Sequence, residues 1–344
     1  MSIFCDGESS EPRRHAMKKT VLKILRHPMF WVFVFFLILP YLLPYVGGYT
    51  YLGTEVLIWS IFALGYNILL GYTGLPSFGH GAFFGTGAFV MGIIQLRVIQ
   101  GMWIPMLAGT FAGAFFGALV GLFLAKKRGI YFSLLTIAFS QMFWFISWGW
   151  DKMTGGEDGL AGIHRLPVGI PGLFSIDLNN ILNFYYFVYV LFILCTVLIW
   201  VIVHSPFGRT LQAIRYNETR TRCIGYNTAL YKWASFTLSC AFSGLAGTLF
   251  ALLRNAAFSD SMHWTQSGNV IMMVLLGGGL THFFGPVLGA GMFIVLRDLF
   301  SALTEHWLLF YGLLFMFVIV FLPEGILGFF KFGRGKGRLF ASKR

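Results

Sequence analysis

The chain is poor in charge. Asp, Glu, Lys and Arg make up 11% of its 344 residues against 57% hydrophobic residues, a balance that excludes a soluble globular protein. It has four cysteines, Cys5, Cys195, Cys223 and Cys240, with no CxxC or metal-ligand spacing. They read as free thiols without a catalytic role. HExxH, G-x-S-x-G and paired carboxylates within the apolar runs are all missing, which argues against a protease or hydrolase. The nucleotide-binding pattern G-x-x-x-x-G-K-[ST] is missing too, and "GFFKFGRGKGR" at 328–338 is only superficially similar to it. The chain therefore has no P-loop of its own. Charges inside the apolar runs are almost absent, whereas a proton- or sodium-coupled carrier would usually have some. Any energy source has to lie in another protein.

What is present is a series of apolar runs near 29–46, 56–70, 82–96, 102–125, 130–148, 181–203, 233–253, 270–284, 286–303 and 307–322. They predict an all-α fold: a polytopic integral membrane protein of about ten transmembrane helices in one domain, 29–325, between a basic leader (1–28) and a basic tail (326–344). The leader reads as part of an uncleaved anchor, with Met1 and Met17 both compatible as starts. The net charge of +12 does not point to nucleic acid, because the basic residues are not gathered on one surface. With the N-terminus inside, 20 of the 25 Lys and Arg fall in the leader, at 126–128, in 204–232 and in the tail. Only Arg97, Lys152, Arg165, Arg254 and Arg297 lie on or toward the outer side. That asymmetry is the positive-inside pattern, and it predicts cytoplasmic termini. The inner 204–232 segment reads as a short helix with Leu211, Ile214 and Arg215 on one face, a lever for a soluble partner. The outer 149–180 segment is acidic.

Glycines mark two kinds of place. Gly109, Gly113, Gly117 and Gly121 fall on one face of a helix and predict close packing against a neighbour. "GYTGLPSFGHGAFFGTGAF" (71–89) carries six glycines between runs that look too short to cross a bilayer, at 56–70 and 82–96; the run at 270–284 is as short. These predict broken or re-entrant segments, which membranes tolerate only inside protein or beside a wet cavity. "GLPSFG" (74–79) and "GLTHFFG" (279–285) are alike in style, with His80 and His282 at comparable places. The amides of Ser77, Phe78, Gly79, His80 and Gly81 are suited to meet the carboxylate of an amino-acid zwitterion without a trapping charge.

Six collinear motifs, the 71–89 stretch, "RGIYFSLLTIAFSQM" (128–142), "TGGEDGL" (154–160), "FGRTLQAIRYNETRTRCIGYN" (207–227), "SGLAGTL" (243–249) and "GGLTHFFGPVLGAG" (278–291), give the chain a resemblance to permease subunits of bacterial branched-chain amino-acid ABC importers over about 50–325. The resemblance implies a multi-pass protein of the bacterial inner membrane that binds no cofactor itself. Its implied partners are a homologous second permease, two cytoplasmic ATPase subunits that use the ATP, and a periplasmic substrate-binding protein. The substrate pathway is expected at Ser77, Phe78, Gly79, His80, Gly81, Thr136 and Gln141. The implied ATPase-coupling residues are Gly208, Arg209, Ala213, Ile214, Arg215, Glu218 and Gly225, and the outer signature is Gly155, Gly156, Glu157, Asp158, Gly159 and Leu160. Pro76 and the long charged leader depart from the pattern. Relatives carry branched-chain, other neutral or aromatic amino acids, short amides or urea; the acidic "GGEDGL" favours an amino acid over urea. A self-contained channel or secondary carrier is the competing class.

Overall fold

The computed structural model describes residues 28–46, 48–170, 174–279, 282–303, 305–321 and 325–332. The basic leader up to 27 and the tail beyond 332 lie outside them, as does Cys5. The chain divides into a unit ending at Thr50 and a second from Tyr51 onward. In the first, α1 (Pro28–Leu42) is uniformly apolar and holds Pro40 in its last turn. A 3-10 turn, Leu43–Val46, follows it.

The second unit holds, from Tyr51 on, α2 (Thr50–Asn67, continuing through a π-helical turn Ile68–Thr73), then α3 (His80–Arg97), α4 (Trp103–Leu124), α5 (Gly129–Gly149) and a single turn α6 (Asp151–Thr154). After the outer segment come α7 (Ile181–His204), α8 (Pro206–Cys223), α9 (Thr228–Arg254), α10 (Trp264–Gly277), α11 (Gly285–Leu303), α12 (Trp307–Phe321) and α13 (Gly325–Phe332). Among the described residues six helices are long and apolar enough to span a membrane: α2 with its π turn, α4, α5, α7, α9 and α11. The fold is that of an all-α, multi-pass membrane protein. Two short antiparallel pairs, β1 (Leu160–Ala161) with β4 (Ala256–Ala257) and β2 (Val168–Ile170) with β3 (Phe174–Ile176), are confined to the segments outside the long helices.

The reading of 56–70 as a short span is corrected: the helix with its π turn runs 24 residues, Thr50–Thr73, about 36 Å at 1.5 Å per residue. A hydropathy reading stops at Glu55, but that carboxylate is neutralised. Its Oε2 lies 2.9 Å from Arg297 of α11, so two charges do sit inside long apolar helices, as a pair. A short helix does lie near the expected 270–284 span, but it runs Trp264–Gly277, 14 residues.

The glycine face of α4 packs as expected. A β-carbon on Gly113 would stand 2.8 Å from Gly244 Cα and 3.0 Å from Cys240 O, both on α9. Trp233 of α9 also donates its Nε1 to Ala118 O at 2.8 Å. Backbones that close leave no room for side chains. Gly113→Val is expected to cost about 1–3 kcal/mol through overpacking, seen as a lower thermal-unfolding midpoint in detergent. Gly149→Val is the matched control and should behave as wild type, because a β-carbon there meets nothing within 4 Å.

Side-chain bonds sort the loops into two ends. Arg128 and Lys232 both reach Glu218 and Lys232 donates to Lys127 O at 3.0 Å, which gathers the α4–α5 turn, α8 and the first turn of α9. At the other end Arg97 donates to Lys152 O at 2.6 Å and Gln95 to His164 O at 2.7 Å. There Arg165 caps Leu252 O and Leu253 O, the last carbonyls of α9, at 2.9 and 2.8 Å. Burial draws the pKa of this guanidinium down, with Tyr51 acting against it. The 126–128 and 204–232 segments thus share one end and 149–165 the other, the separation that the charge pattern demands.

Candidate functional site

Between α2 and α3 the backbone leaves the helix. Gly74 takes a left-handed conformation (φ 77°) that closes the π turn, and residues 75–79 are irregular before α3 restarts at His80. Gly74 is exposed, but Leu75, Ser77 and Gly79 are buried and Pro76 and Phe78 half-buried, so the polar groups of the break need partners. Tyr66, two residues before the π segment, supplies two of them: its hydroxyl donates to Ser77 O and accepts from Ser77 N, both at 2.9 Å. Phe78 N donates to Thr136 Oγ1 at 3.1 Å, Gly79 N to Ser77 Oγ at 3.3 Å and Gly81 N to Ser267 Oγ at 2.7 Å. Four of the five amides expected to meet a substrate carboxylate, those of Ser77, Phe78, Gly79 and Gly81, are therefore held, in this state, by hydroxyl and phenol oxygens. A carboxylate arriving here would replace neutral acceptors with a charged one, roughly doubling the strength of each bond.

His80 is a cross-brace. Its Nδ1 lies 2.9 Å from Ser77 Oγ and its Nε2 2.8 Å from Ser239 Oγ of α9, and its ring meets Tyr66 and Phe236 edge-on at 4.8 and 5.3 Å. With both nitrogens engaged and the residue fully buried, it ties the break to α9. His282 is placed differently: it is only half-buried, and its backbone amide bonds Gly278 O at 3.0 Å. Leu280 and Thr281 of the second glycine cluster lie outside the described residues.

A stripe of hydroxyls on α5, of which the sequence reading singled out only Thr136, backs the break at 75–79 and the turn at 259–262. Ser133 donates to Pro76 O at 2.8 Å, Thr136 serves Phe78, Ser140 donates to Met262 O at 2.9 Å, and Ser147 bonds Ser259 at 3.0 Å. The spacing 133, 136, 140, 147 is helical and visible in "SLLTIAFSQMFWFIS"; what the sequence hides is that two unwound segments lie opposite it. Gln141 is half-buried beside Ser140 and stands outside this network among the described bonds. Gly79 cannot carry a side chain here, since a β-carbon would lie 2.5 Å from Thr136 O.

The coupling-segment residues fall on α8. Ser205 caps it, accepting from Gly208 N at 3.4 Å, with Pro206 at its start. Leu211 and Ile214 are buried, while Arg209, Ala213, Arg220 and Arg222 are exposed. Helical geometry lapses at Asn217 (φ −160°, ψ 98°), and Gly225 ends the segment with φ 95°. Arg215 reaches across to the break: its guanidinium donates to Gly71 O and its Cγ would touch a β-carbon on Gly74 at 2.9 Å. The carbonyls of Leu69 and Leu70 are capped by Leu75 N and Gly74 N, and that of Ile68 by Thr73 Oγ1. Arg215 completes the C-terminal cap of α2 from another helix.

In the outer segment Gly155, Gly156 and Gly159 all have positive φ, at 78°, 62° and 74°. The turn is held by Thr154, which bonds Gly156 N at 3.4 Å, and by Ser259, which donates to Gly156 O at 3.0 Å. Glu157 and Asp158 stand exposed on it, so their carboxylates are presented outward.

Comparison with known proteins agrees with this architecture. The family model described as "Branched-chain amino acid transport system / permease component" matches residues 17–319. The high-affinity branched-chain amino acid transport system permease protein LivM of Salmonella typhimurium is 27% identical over 299 residues, 80% of this chain and 69% of that protein. Its Escherichia coli counterpart is 28% identical over 300 residues, with the same coverage. A probable branched-chain amino acid transport permease protein LivM of Methanocaldococcus jannaschii is 23% identical over 328 residues, 79% of this chain and 92% of that protein. No solved structure gives a significant match. With the family model covering most of its length, this chain belongs to the branched-chain amino acid transport system permease family.

Proposed function

We propose that the chain is the membrane-crossing permease subunit of an ATP-driven importer in the bacterial inner membrane. It crosses about ten times with both termini in the cytoplasm and passes branched-chain or related neutral amino acids delivered by a periplasmic binding protein. It works beside a homologous second permease, and two ATPase subunits press on α8. The permease domain is 29–325. The observation that carries this reading is the bond from Arg215 on α8 to Gly71 O. One end of that contact is an exposed basic helix available to a soluble motor; the other is the edge of a buried break lined by hydroxyls. A self-contained channel or carrier has no need of such a link. Glu157 and Asp158 offer the opposite end to the binding protein, and the 77–81 amides with Thr136 receive the substrate carboxylate once the hydroxyls give way.

Uptake into vesicles containing the chain, its second permease and its ATPases tests this, with binding protein inside the assay and leucine, isoleucine, valine and urea as cargoes. Uptake of a branched-chain amino acid that needs both ATP and binding protein is the expected result. ATP-independent flux at the same rate would favour the channel or carrier, and urea uptake alone would move the cargo to amides.

A further inference from the structure

The turn joining α4 to α5 borders a groove of about 720 Å³ whose character changes along its length. At its mouth stand Lys126, Lys127 and Arg128; farther along α5 the wall becomes Tyr131, Leu134, Leu135 and Ala138. The spacing 131, 134, 135, 138 follows one stripe of a helix and extends ~10 Å down its axis. That stripe belongs to a helix apolar and long enough to span the bilayer, so the apolar part of the groove lies at acyl-chain depth and the basic part at headgroup depth. Tyr131 is 77% exposed, and every residue lining the groove comes from the α4–α5 turn or α5 itself.

Arg128 is paired, but among the described residues no carboxylate pairs with Lys126 or Lys127. Glu218, the carboxylate facing this turn, already serves Arg128 at 2.7 Å, Lys232 at 3.2 Å and Arg222 at 3.4 Å. Lys126 and Lys127 remain exposed beside it. A second groove of similar size, along α7 at Val190, Leu194, Val197 and Val201, carries no charged residue. It offers acyl chains a surface but has nothing to select a headgroup.

We propose that the α4–α5 groove binds one anionic glycerophospholipid, its phosphate held by Lys126 and Lys127 and one acyl chain laid along Tyr131, Leu134, Leu135 and Ala138. Cations set beside an apolar stripe at a membrane edge are complementary to such a lipid in both charge and shape. An acidic protein segment would match only the mouth, because the remaining wall is inside the span.

Native mass spectrometry of the full chain released from nanodiscs of mixed phosphatidylglycerol and phosphatidylcholine tests the assignment. One retained phosphatidylglycerol, preferred over phosphatidylcholine, is expected. The double variant Lys126→Gln/Lys127→Gln should lose that preference by roughly tenfold or more, and Lys126→Arg/Lys127→Arg should keep it. Leu194→Ala, in the uncharged groove, should leave it unchanged. Equal retention of both lipids by wild type, or an undiminished preference in the Gln variant, would overturn the proposal. So would displacement of the lipid by inorganic phosphate, which would mean a phosphate site without acyl recognition. If the preference vanishes when the second permease and ATPases are bound, the groove is a subunit contact and the lipid assignment fails.

Discussion

Glu55→Leu is expected to destabilise the protein by about 3 kcal/mol, the lower end of the cost of breaking a buried ion pair. The carboxylate is almost wholly buried, yet Arg297 keeps 26% of its side chain exposed and can bend part of the way toward the bilayer surface when stranded. The pair holds α2 to α11, and the other oxygen of Glu55, like the indole nitrogen of Trp59 one turn deeper, has no hydrogen-bond partner among the described residues. An incompletely satisfied pair adds little over an apolar contact of similar volume. Glu55→Leu/Arg297→Leu should therefore recover most of the loss, and Arg297→Leu alone, which strands the more deeply buried charge, should be at least as damaging as Glu55→Leu. Thermal unfolding of the four proteins in one detergent forms a double-mutant cycle. If the double variant is as unstable as the sum of the single ones, the pair is not what those residues contribute.

The same pair shows where the sequence misleads. A hydropathy reading ends a span at a charge, so the first turn and a half of α2 was invisible until Arg297, 242 residues away, was seen to neutralise Glu55. Short-range patterns are legible because one helix contains all their information: the four-residue glycine spacing of α4, the brevity of α10, and the helical face of Leu211 and Ile214, although Arg215, expected with them, is exposed. The break at 74–79 was legible for a similar reason, since glycine and proline act locally. Its partners were not. Tyr66, Ser239 and Ser267 look like ordinary residues of apolar helices, and nothing in their own neighbourhoods says that an unwound segment lies opposite. The exposed amides expected at 77–81 are the consequence: apart from Ser77 within the break itself, the hydroxyls that occupy them come from α2, α5 and α10.

Arg215 is where the two ends of the proposed machine meet, and Arg215→Ala is expected to separate ATP use from transport. The side chain bonds Gly71 O, at the negative end of the α2 helix, where a cation is favoured. The rest of α8 keeps Arg209, Arg220 and Arg222 on its exposed side. Removing the guanidinium therefore leaves the surface available to an ATPase largely intact while freeing the carbonyl that flanks the break. A charge-assisted bond of this kind is worth about 1.5–3 kcal/mol. If it forms in only one of the two states between which the permease moves, uptake per ATP hydrolysed should fall roughly tenfold or more, with pull-down of the ATPases preserved. Arg215→Lys, which keeps the charge but not the planar fork, should fall between the two. Arg209→Ala, on the exposed side, should do the opposite and weaken ATPase association first. An unchanged ratio of uptake to hydrolysis in Arg215→Ala would show that the Gly71 contact transmits nothing. Loss of ATPase binding in that variant, equal to the loss in Arg209→Ala, would move Arg215 from the link to the docking surface itself.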